Sequence, residues 1–349
     1  MSDASIIERL PILILSPHNR CNCRCVMCDI WKLDTVQEIG LSDLEGHLRE
    51  IVALGVQWVV FSGGEPLMHS DLFRLSRSLR GHGIRTTILS SGLLLAKNAS
   101  RLVSEIDDVI VSLDGPPRVH DHVRGIRGAF DLLAMGVREM HSIRPDFPVA
   151  ARTTVQRSNF AFLRETVRTA RGLDLQSISF LAADTTSTAF NRREPWPDER
   201  RAQVALTADE ADGLEVEMER LIGDMDEHPG FILETPEKLR RIVRHFRVGL
   251  GLLEPEAPRC NAPWVSAVVE SDGTVRPCFF HEPIGNVTKQ TLPEVLNGPG
   301  AVLFRQTLDI SRDTVCQRCV CSLFLGPETA TARTGRGTLS ERPVVIGRP

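Results

Sequence analysis

Four cysteines crowd the run from Arg20 to Asp29, and three of them, Cys21, Cys25 and Cys28, leave three and then two residues between thiols. Three thiolates on one short loop fall one ligand short of a closed tetrahedral zinc site. They suit three irons of a 4Fe–4S cluster, whose fourth iron is then open to chemistry. Cys23 lies inside the loop at a spacing foreign to the triplet and reads as a spare thiol. A second cysteine region follows near the other end. Cys260 and Cys278 have seventeen residues between them, and Cys316-x2-Cys319 and then Cys321 complete it. Cys260, Cys278, Cys316 and Cys319 are the first choice of ligands for one further cluster, with Cys321 a substitute ligand or a free thiol. Four thiolates also satisfy zinc, and that alternative stays open at this point.

Two polar turns add to the thiols. In Ser62-Gly63-Gly64-Glu65-Pro66 the glycines allow close backbone approach, and exposed carbonyls with the Glu65 carboxylate suit an ammonium group. Ser112-Leu113-Asp114-Gly115-Pro116 is followed by His120-Asp121 and Arg124-Gly125. Ser112 suits a ribose hydroxyl or a carboxylate, and Arg124 suits a carboxylate. Ser91, in Ser90-Ser91-Gly92, stands at a third such turn. Arg152 and Gln156 are expected to face the same pocket. His18, His69 and His281 read as packing or surface residues.

The elements that must position these groups alternate between strand and helix. Apolar runs predict strands at Pro11–Ser16, Trp58–Phe61, Ile84–Leu89, Asp108–Leu113, Val149–Val155 and Gln176–Ala182. Between them, Ser42-x-x-Glu45 reads as a capping box opening a helix to Leu54. A second helix is expected from Ser70, and a third capped by Asn159. Such alternation predicts a parallel sheet with right-handed crossovers. The polar turns follow strand C-termini, the edge that carries active sites in α/β folds. Asp184–Arg201 reads as a loop or lid, followed by two helices capped at Thr207 and at Thr235-Pro236. Val265–Val269 and Thr274–Arg276 flank Asp272-Gly273, a hairpin signal.

The 349 residues carry a formal net charge of −4, which gives no sign of a nucleic-acid or anionic-membrane partner. No segment nears the ~20 apolar residues of a membrane span, and no export signal is visible at the start. Nine cysteines, an odd number grouped at short spacings, fit metal ligation in a reducing cytoplasm rather than a disulfide framework. The chain has no tyrosine, which removes one common radical or proton relay.

The triplet after a first strand, with Gly63-Gly64-Glu65-Pro66 about 35 residues on, resembles the radical S-adenosylmethionine (SAM) superfamily. The cysteines from Cys260 to Cys321, with Gly273-x4-Cys278 and Gly285-Asn286, resemble its twitch or SPASM-type auxiliary cluster domain. The resemblance implies an α/β core, a partial (β/α)6 barrel, with a small C-terminal α+β cluster-binding domain. Residues 1–205 are expected to form the core, 206–258 a helical bridge, 259–325 the auxiliary domain, and 326–349 a mobile tail. It implies SAM on the open iron of a 4Fe–4S cluster, with the Gly63–Pro66 turn at the methionine amine. Met27, where an aromatic residue is frequent, lies near the adenine, and Ser91, Ser112, Asp114, Arg124, Arg152 and Gln156 complete the cofactor pocket.

The same resemblance implies a 5′-deoxyadenosyl radical that abstracts hydrogen from a substrate. An auxiliary iron–sulfur cluster then takes an electron, giving oxidation, or a thiol such as Cys23 or Cys321 returns a hydrogen atom, giving epimerisation. An external one-electron reductant such as flavodoxin or ferredoxin is implied. The cluster loop begins at residue 21, which favours a small molecule (a sugar, an aminocyclitol or another secondary-metabolite intermediate) over a peptide. A peptide-maturing enzyme is the first alternative and a non-enzymatic electron-transfer module the second. An ammonium-binding turn argues against the second.

Overall fold

The computed structural model describes residues 5–33, 35–190, 192 and 194–326. The expected tail at 326–349 lies, from residue 327 onward, outside them. The six anticipated strands form as β1 (Ile12–Leu15), β2 (Trp58–Phe61), β3 (Arg85–Ser90), β4 (Asp108–Ser112), β5 (Val149–Val155) and β6 (Ile178–Ala182). All neighbours pair in parallel, in the order β6-β5-β4-β3-β2-β1. Helices α1 (Leu41–Ala53), α2 (Leu72–Arg80), α3 (Leu95–Glu105), α4 (Pro117–Arg124), α5 (Ala129–Ile143) and α6 (Leu163–Gly172) fill the crossovers.

Strand alternation sends successive side chains to opposite faces. Leu13, Leu15, Val59, Phe61, Val109, Val111 and Ala151 meet the helices in the main core. Ile12, Ile14, Trp58 and Val60 point the other way and form a second apolar cluster with Ala262, Val265, Val268 and Leu323. The C-terminal region therefore packs against the inner face of the sheet. Its hairpin, β7 (Ser266–Val269) and β8 (Thr274–Arg276), does not stand apart as a separate unit. β7 adds in parallel to β1, and β8 and then β9 (Gly285–Asn286) extend the same sheet to nine strands. The fold is thus mixed α/β with a parallel core, as expected, but the auxiliary region is built on the core's first strand.

At the far edge, Ile178 exchanges backbone hydrogen bonds with Phe231 and Leu233, at 2.8 and 3.0 Å. That segment leads into α9 (Pro236–Gly249), whose side chains cover β6, after the short α7 (Asp198–Arg201) and the long α8 (Ala208–Gly223). Covering the edge removes a template for aggregation. Two helix starts differ in detail from the sequence reading. α1 is capped two residues earlier, at Gly40 and not at Ser42, because the Asp43 carboxylate reaches back to the Gly40 N–H at 2.7 Å. Asn159 does not cap α6: its amide accepts from Gln156 N at 2.8 Å and donates to the Asp114 carbonyl at 3.0 Å, locking the end of β5 to the turn after β4.

Candidate functional site

The cysteine loop leaves β1 and is pinned from two sides. Arg24 N and Val26 N donate to the carbonyls of Arg124 and Val123, at 2.9 and 3.1 Å. Gly125 makes that approach possible, since a Cβ there would lie 2.5 Å from the Arg24 carbonyl oxygen. On the other side Gly64 N and Glu65 N donate to the carbonyls of His18 and Arg20. A Cβ on Gly64 would sit 1.8 Å from the Arg20 oxygen, so only glycine fits. The second glycine of the turn is thus explained by packing against the cysteine loop.

Several expected roles change once partners are counted. The Glu65 carboxylate accepts from Leu67 N, Ser90 Oγ, Ser91 N and Ser91 Oγ, at 2.6–3.2 Å. Four donors occupy the four lone-pair positions of a carboxylate, so Glu65 has none left for an ammonium. Burial pushes its pKa up, against those hydrogen bonds. Ser91 bridges Glu65 and Asn22 of the cysteine loop, which makes it a brace rather than a free ligand. Ser62, Gly63 and Gly64 line a cleft. Arg124 is likewise taken: it pairs with buried Asp114 and brings Nη1 to 3.5 Å from Cys25 Sγ. The carboxylate that Arg124 was expected to find is Asp114, and the pair supports the cluster loop instead of SAM.

The thiols have distinct electrostatics. Hydrogen bonding from Cys23, opposed by burial and aided by Arg124, brings Cys25 down to about 7. The same Cys23 hydrogen bond lowers Cys21. Burial pushes Cys28 up to about 12. Cys23 is buried between Cys21 and Cys25. Backbone N–H groups aim at sulfur: Ile30 at Cys28, Ala262 at Cys260 and Cys321 at Cys319, at 3.3–3.5 Å. Such N–H···S contacts suit iron–sulfur ligands. Among the described residues, the only His, Cys, Asp or Glu trio with donor atoms all within 4.8 Å is His281, Asp313 and Cys316.

On the inner face, Ser112, Arg152 and Ser179 sit side by side at paired positions of β4, β5 and β6. Arg152 Nε donates to Ser179 Oγ at 3.3 Å. Gln156, on the same face of β5, is fully buried, and neither polar atom of its amide has a partner. Unpaired buried amides cost free energy. Met27 packs with Ala183, Trp196 and Val204.

The segment read as a lid is fastened down. Arg192 pairs with buried Asp184 at 2.7 Å, donates to the Met27 carbonyl at 3.3 Å and stacks on Trp196 at 3.9 Å. Trp196 Nε1 donates to Asp29 Oδ2 at 2.6 Å, and Arg200 to the Val26 carbonyl at 2.6 Å. This strap closes one side of the cysteine loop. Sequence reasoning missed Asp29, Arg192 and Trp196; the one local signal was an acidic residue directly after Cys28. It also missed Asn261, which follows Cys260 and ties it to Leu323 and Leu325 by three hydrogen bonds of 2.8–2.9 Å. His18 and His69 are packing residues, bonded to the carbonyls of Glu65 and Ile39. His281 is not: its Nε2 lies 3.3 Å from Cys316 Sγ.

A parallel α/β sheet thus carries one cysteine loop after its first strand and a second cysteine set folded onto its inner face. The model of the radical SAM superfamily matches residues 15–157, and that of the SPASM iron–sulfur cluster-binding domain matches residues 260–320. The chain belongs to the radical SAM superfamily, whose members are enzymes, and carries a SPASM domain. It is 32% identical over 157 residues to Fe-coproporphyrin III synthase of Methanosarcina barkeri, covering 44% of this chain and 39% of that protein. It is 26% identical over 309 residues to pre-heme d1 synthase of Dinoroseobacter shibae, covering 84% and 74%. The first of these matches thus spans about two-fifths of its relative's length. In fold the chain is similar to Streptococcus suis SuiB bound to S-adenosylmethionine, with a TM-score of 0.66, 17% identity and coverage of 91% and 74%. No helix among the described residues is long and apolar enough to cross a membrane.

Proposed function

We propose that the protein cleaves SAM reductively and abstracts a hydrogen atom from a small organic substrate held between the cysteine loop and the SPASM domain. The observation that carries this reading is the cleft of about 350 Å3 shared by Ser62, Gly63 and Gly64, by the strap residues Phe190 and Arg192, and by Arg276 and Phe279 of the SPASM domain. The cleft lies between the turn after β2, the strap and the β7–β8 hairpin, next to the residue that follows Cys278, and its size suits a metabolite.

Cys21, Cys25 and Cys28 would hold a 4Fe–4S cluster, and its open iron with SAM supplies a carbon-centred hydrogen abstractor. The Gly63-Gly64 backbone would take the methionine amine, and Met27 would lie beside the adenine. Ser112 would take the ribose, while Arg152 and the unpartnered Gln156 would meet further polar groups of SAM or substrate. The strap excludes water, which protects a reactive carbon radical from side reactions. The SPASM cysteines would hold an auxiliary cluster, and a flavodoxin or ferredoxin would deliver electrons.

Two outcomes follow from how the substrate radical ends. An auxiliary cluster held by the SPASM cysteines would supply an electron acceptor for an oxidation, and a thiol of this chain would supply a hydrogen atom for an epimerisation. Cys321 is the better donor of the two spare thiols. It is half-buried and packs with the inner-face cluster, whereas Cys23 is enclosed by its neighbours.

The test is to incubate reduced enzyme with deuterated candidate substrates and follow label into 5′-deoxyadenosine. Label from a small molecule supports the reading, and label only from peptides replaces it with a peptide-modifying enzyme. Cys321→Ala in deuterated solvent separates the two outcomes. Undiminished deuterium in the product rejects the hydrogen-donor role.

A further inference from the structure

The SPASM cysteines have unequal surroundings, and Cys316 has the most polar ones. It lies in the one-turn helix Thr314–Gln317, whose N-cap Asp313 accepts the Cys316 N–H at 2.8 Å. His281, three residues beyond Cys278, brings Nε2 to 3.3 Å from Cys316 Sγ and 3.7 Å from Asp313 Oδ1. The ring is 8% exposed. It meets Phe304 edge-on at 4.9 Å, and the His281 carbonyl accepts from Arg276 Nη1 at 3.1 Å. Ring and backbone are therefore both fixed. A ligand thiolate and an ionised carboxylate only accept hydrogen bonds, so the nitrogen between them must carry the hydrogen.

We propose that His281 is a positioning residue for the auxiliary cluster: its Nε2–H donates to the Cys316 thiolate and raises the cluster's reduction potential. This rests on the reading that Cys316 binds an iron. Reduction adds negative charge to the cluster, and a donor at a ligand sulfur stabilises that charge. The contact therefore biases the auxiliary centre toward accepting an electron. Asp313 holds the Cys316 backbone N–H and its carboxylate also faces the Cys316 sulfur, so the imidazole sits between the two acceptors.

The experiment is an EPR-monitored redox titration of the reconstituted full chain, with iron content measured in parallel. His281→Phe keeps a ring and removes the donor. The expected result is unchanged iron and about a tenfold lower ratio of reduced to oxidised auxiliary cluster at fixed potential, which for one electron is a downward shift of about 59 mV. His281→Gln, whose amide nitrogen overlays Nε2, restores most of it. If the Phe variant does not fold, His281→Leu gives the same readout.

Cys316→Ala is the control for the underlying ligand set. If it loses auxiliary iron while His281→Phe leaves the potential unmoved, the His281 proposal alone fails. If Cys316→Ala keeps all its iron, the ligand reading fails and takes the proposal with it. Loss of iron from both His281→Gln and His281→Phe overturns the proposal in favour of His281 as a direct ligand.

Discussion

Removing the Asp184 carboxylate should unfasten the strap over the cysteine loop without unfolding the sheet. Asp184 and Arg192 are both almost wholly buried and meet at 2.7 Å. Asp184 also accepts from the backbone N–H groups of Thr186 and Ser187, each at 3.2 Å, and from the Ser187 hydroxyl. Asp184→Ala leaves the Arg192 guanidinium buried without its counter-charge, a change that costs about 3–5 kcal/mol. The strap meets the cysteine loop through Arg192, Trp196 and Arg200, and local opening there relieves most of that cost. At 1.4 kcal/mol per tenfold, even the lower figure raises the opening equilibrium on the order of 100-fold. Amide hydrogen exchange measures it directly: residues 186–200 should exchange on the order of 100-fold faster, with the amides of β1 to β5 unchanged. Asp184→Asn keeps an acceptor for the two N–H groups and should fall between. Iron should also leave the Cys21–Cys28 loop faster under a chelator, because Met27 and Asp29 lose their cover. Less than threefold acceleration in the strap would refute the claim that this ion pair fastens it.

Gly64→Ala should cost about 1–3 kcal/mol or more by overpacking, since its Cβ would fall on the Arg20 carbonyl. Iron analysis should show the loss at the N-terminal loop, with SPASM-domain iron retained. Replacing Cys21, Cys25 and Cys28 together by Ala should lower iron from about eight to about four per chain, and an unchanged count would reject the triplet as ligands. Glu234 is pushed up to about 7, mainly by burial. A carboxyl raised in the folded state stabilises fully below its unfolded value and loses that contribution as pH rises through its folded value. Stability should therefore fall between about pH 4 and 7, by roughly 3 kcal/mol at most, and level off above that. Urea melts of Glu234→Gln should show a flatter profile across that window.

The strands and the cysteine spacing were legible because their causes are local. A buried parallel strand is a short apolar run, so β1, β2 and β5 lie within a residue or so of where the runs placed them. The glycines of Ser62–Pro66 announced a close approach, but not that its partner would be the Arg20 carbonyl. What the residues do was less legible. Glu65, Ser91, Asp114 and Arg124 read as cofactor ligands because each has suitable atoms in a suitable place. Their atoms are already spent on one another and on the cysteine loop, and no local pattern reveals such pairing. Asp29 and Trp196, or His281 and Cys316, are far apart in sequence and meet only through packing.

By itself, the sequence determined the chemistry on offer: thiolates at cluster spacing, a Gly-Gly turn after a strand, and alternating elements that must build a parallel sheet. Ligand type, spacing and hydrophobic period are properties of a few neighbouring residues. Tertiary structure alone decided that β7 would pair with β1, bringing the SPASM cysteines onto the inner face of the core. It also decided which polar groups were satisfied and which, like the Gln156 amide, were left without a partner. That division has one physical reason. A hydrogen bond or ion pair is used up by whichever partner the fold brings near, and the fold, not the residue type, chooses the partner.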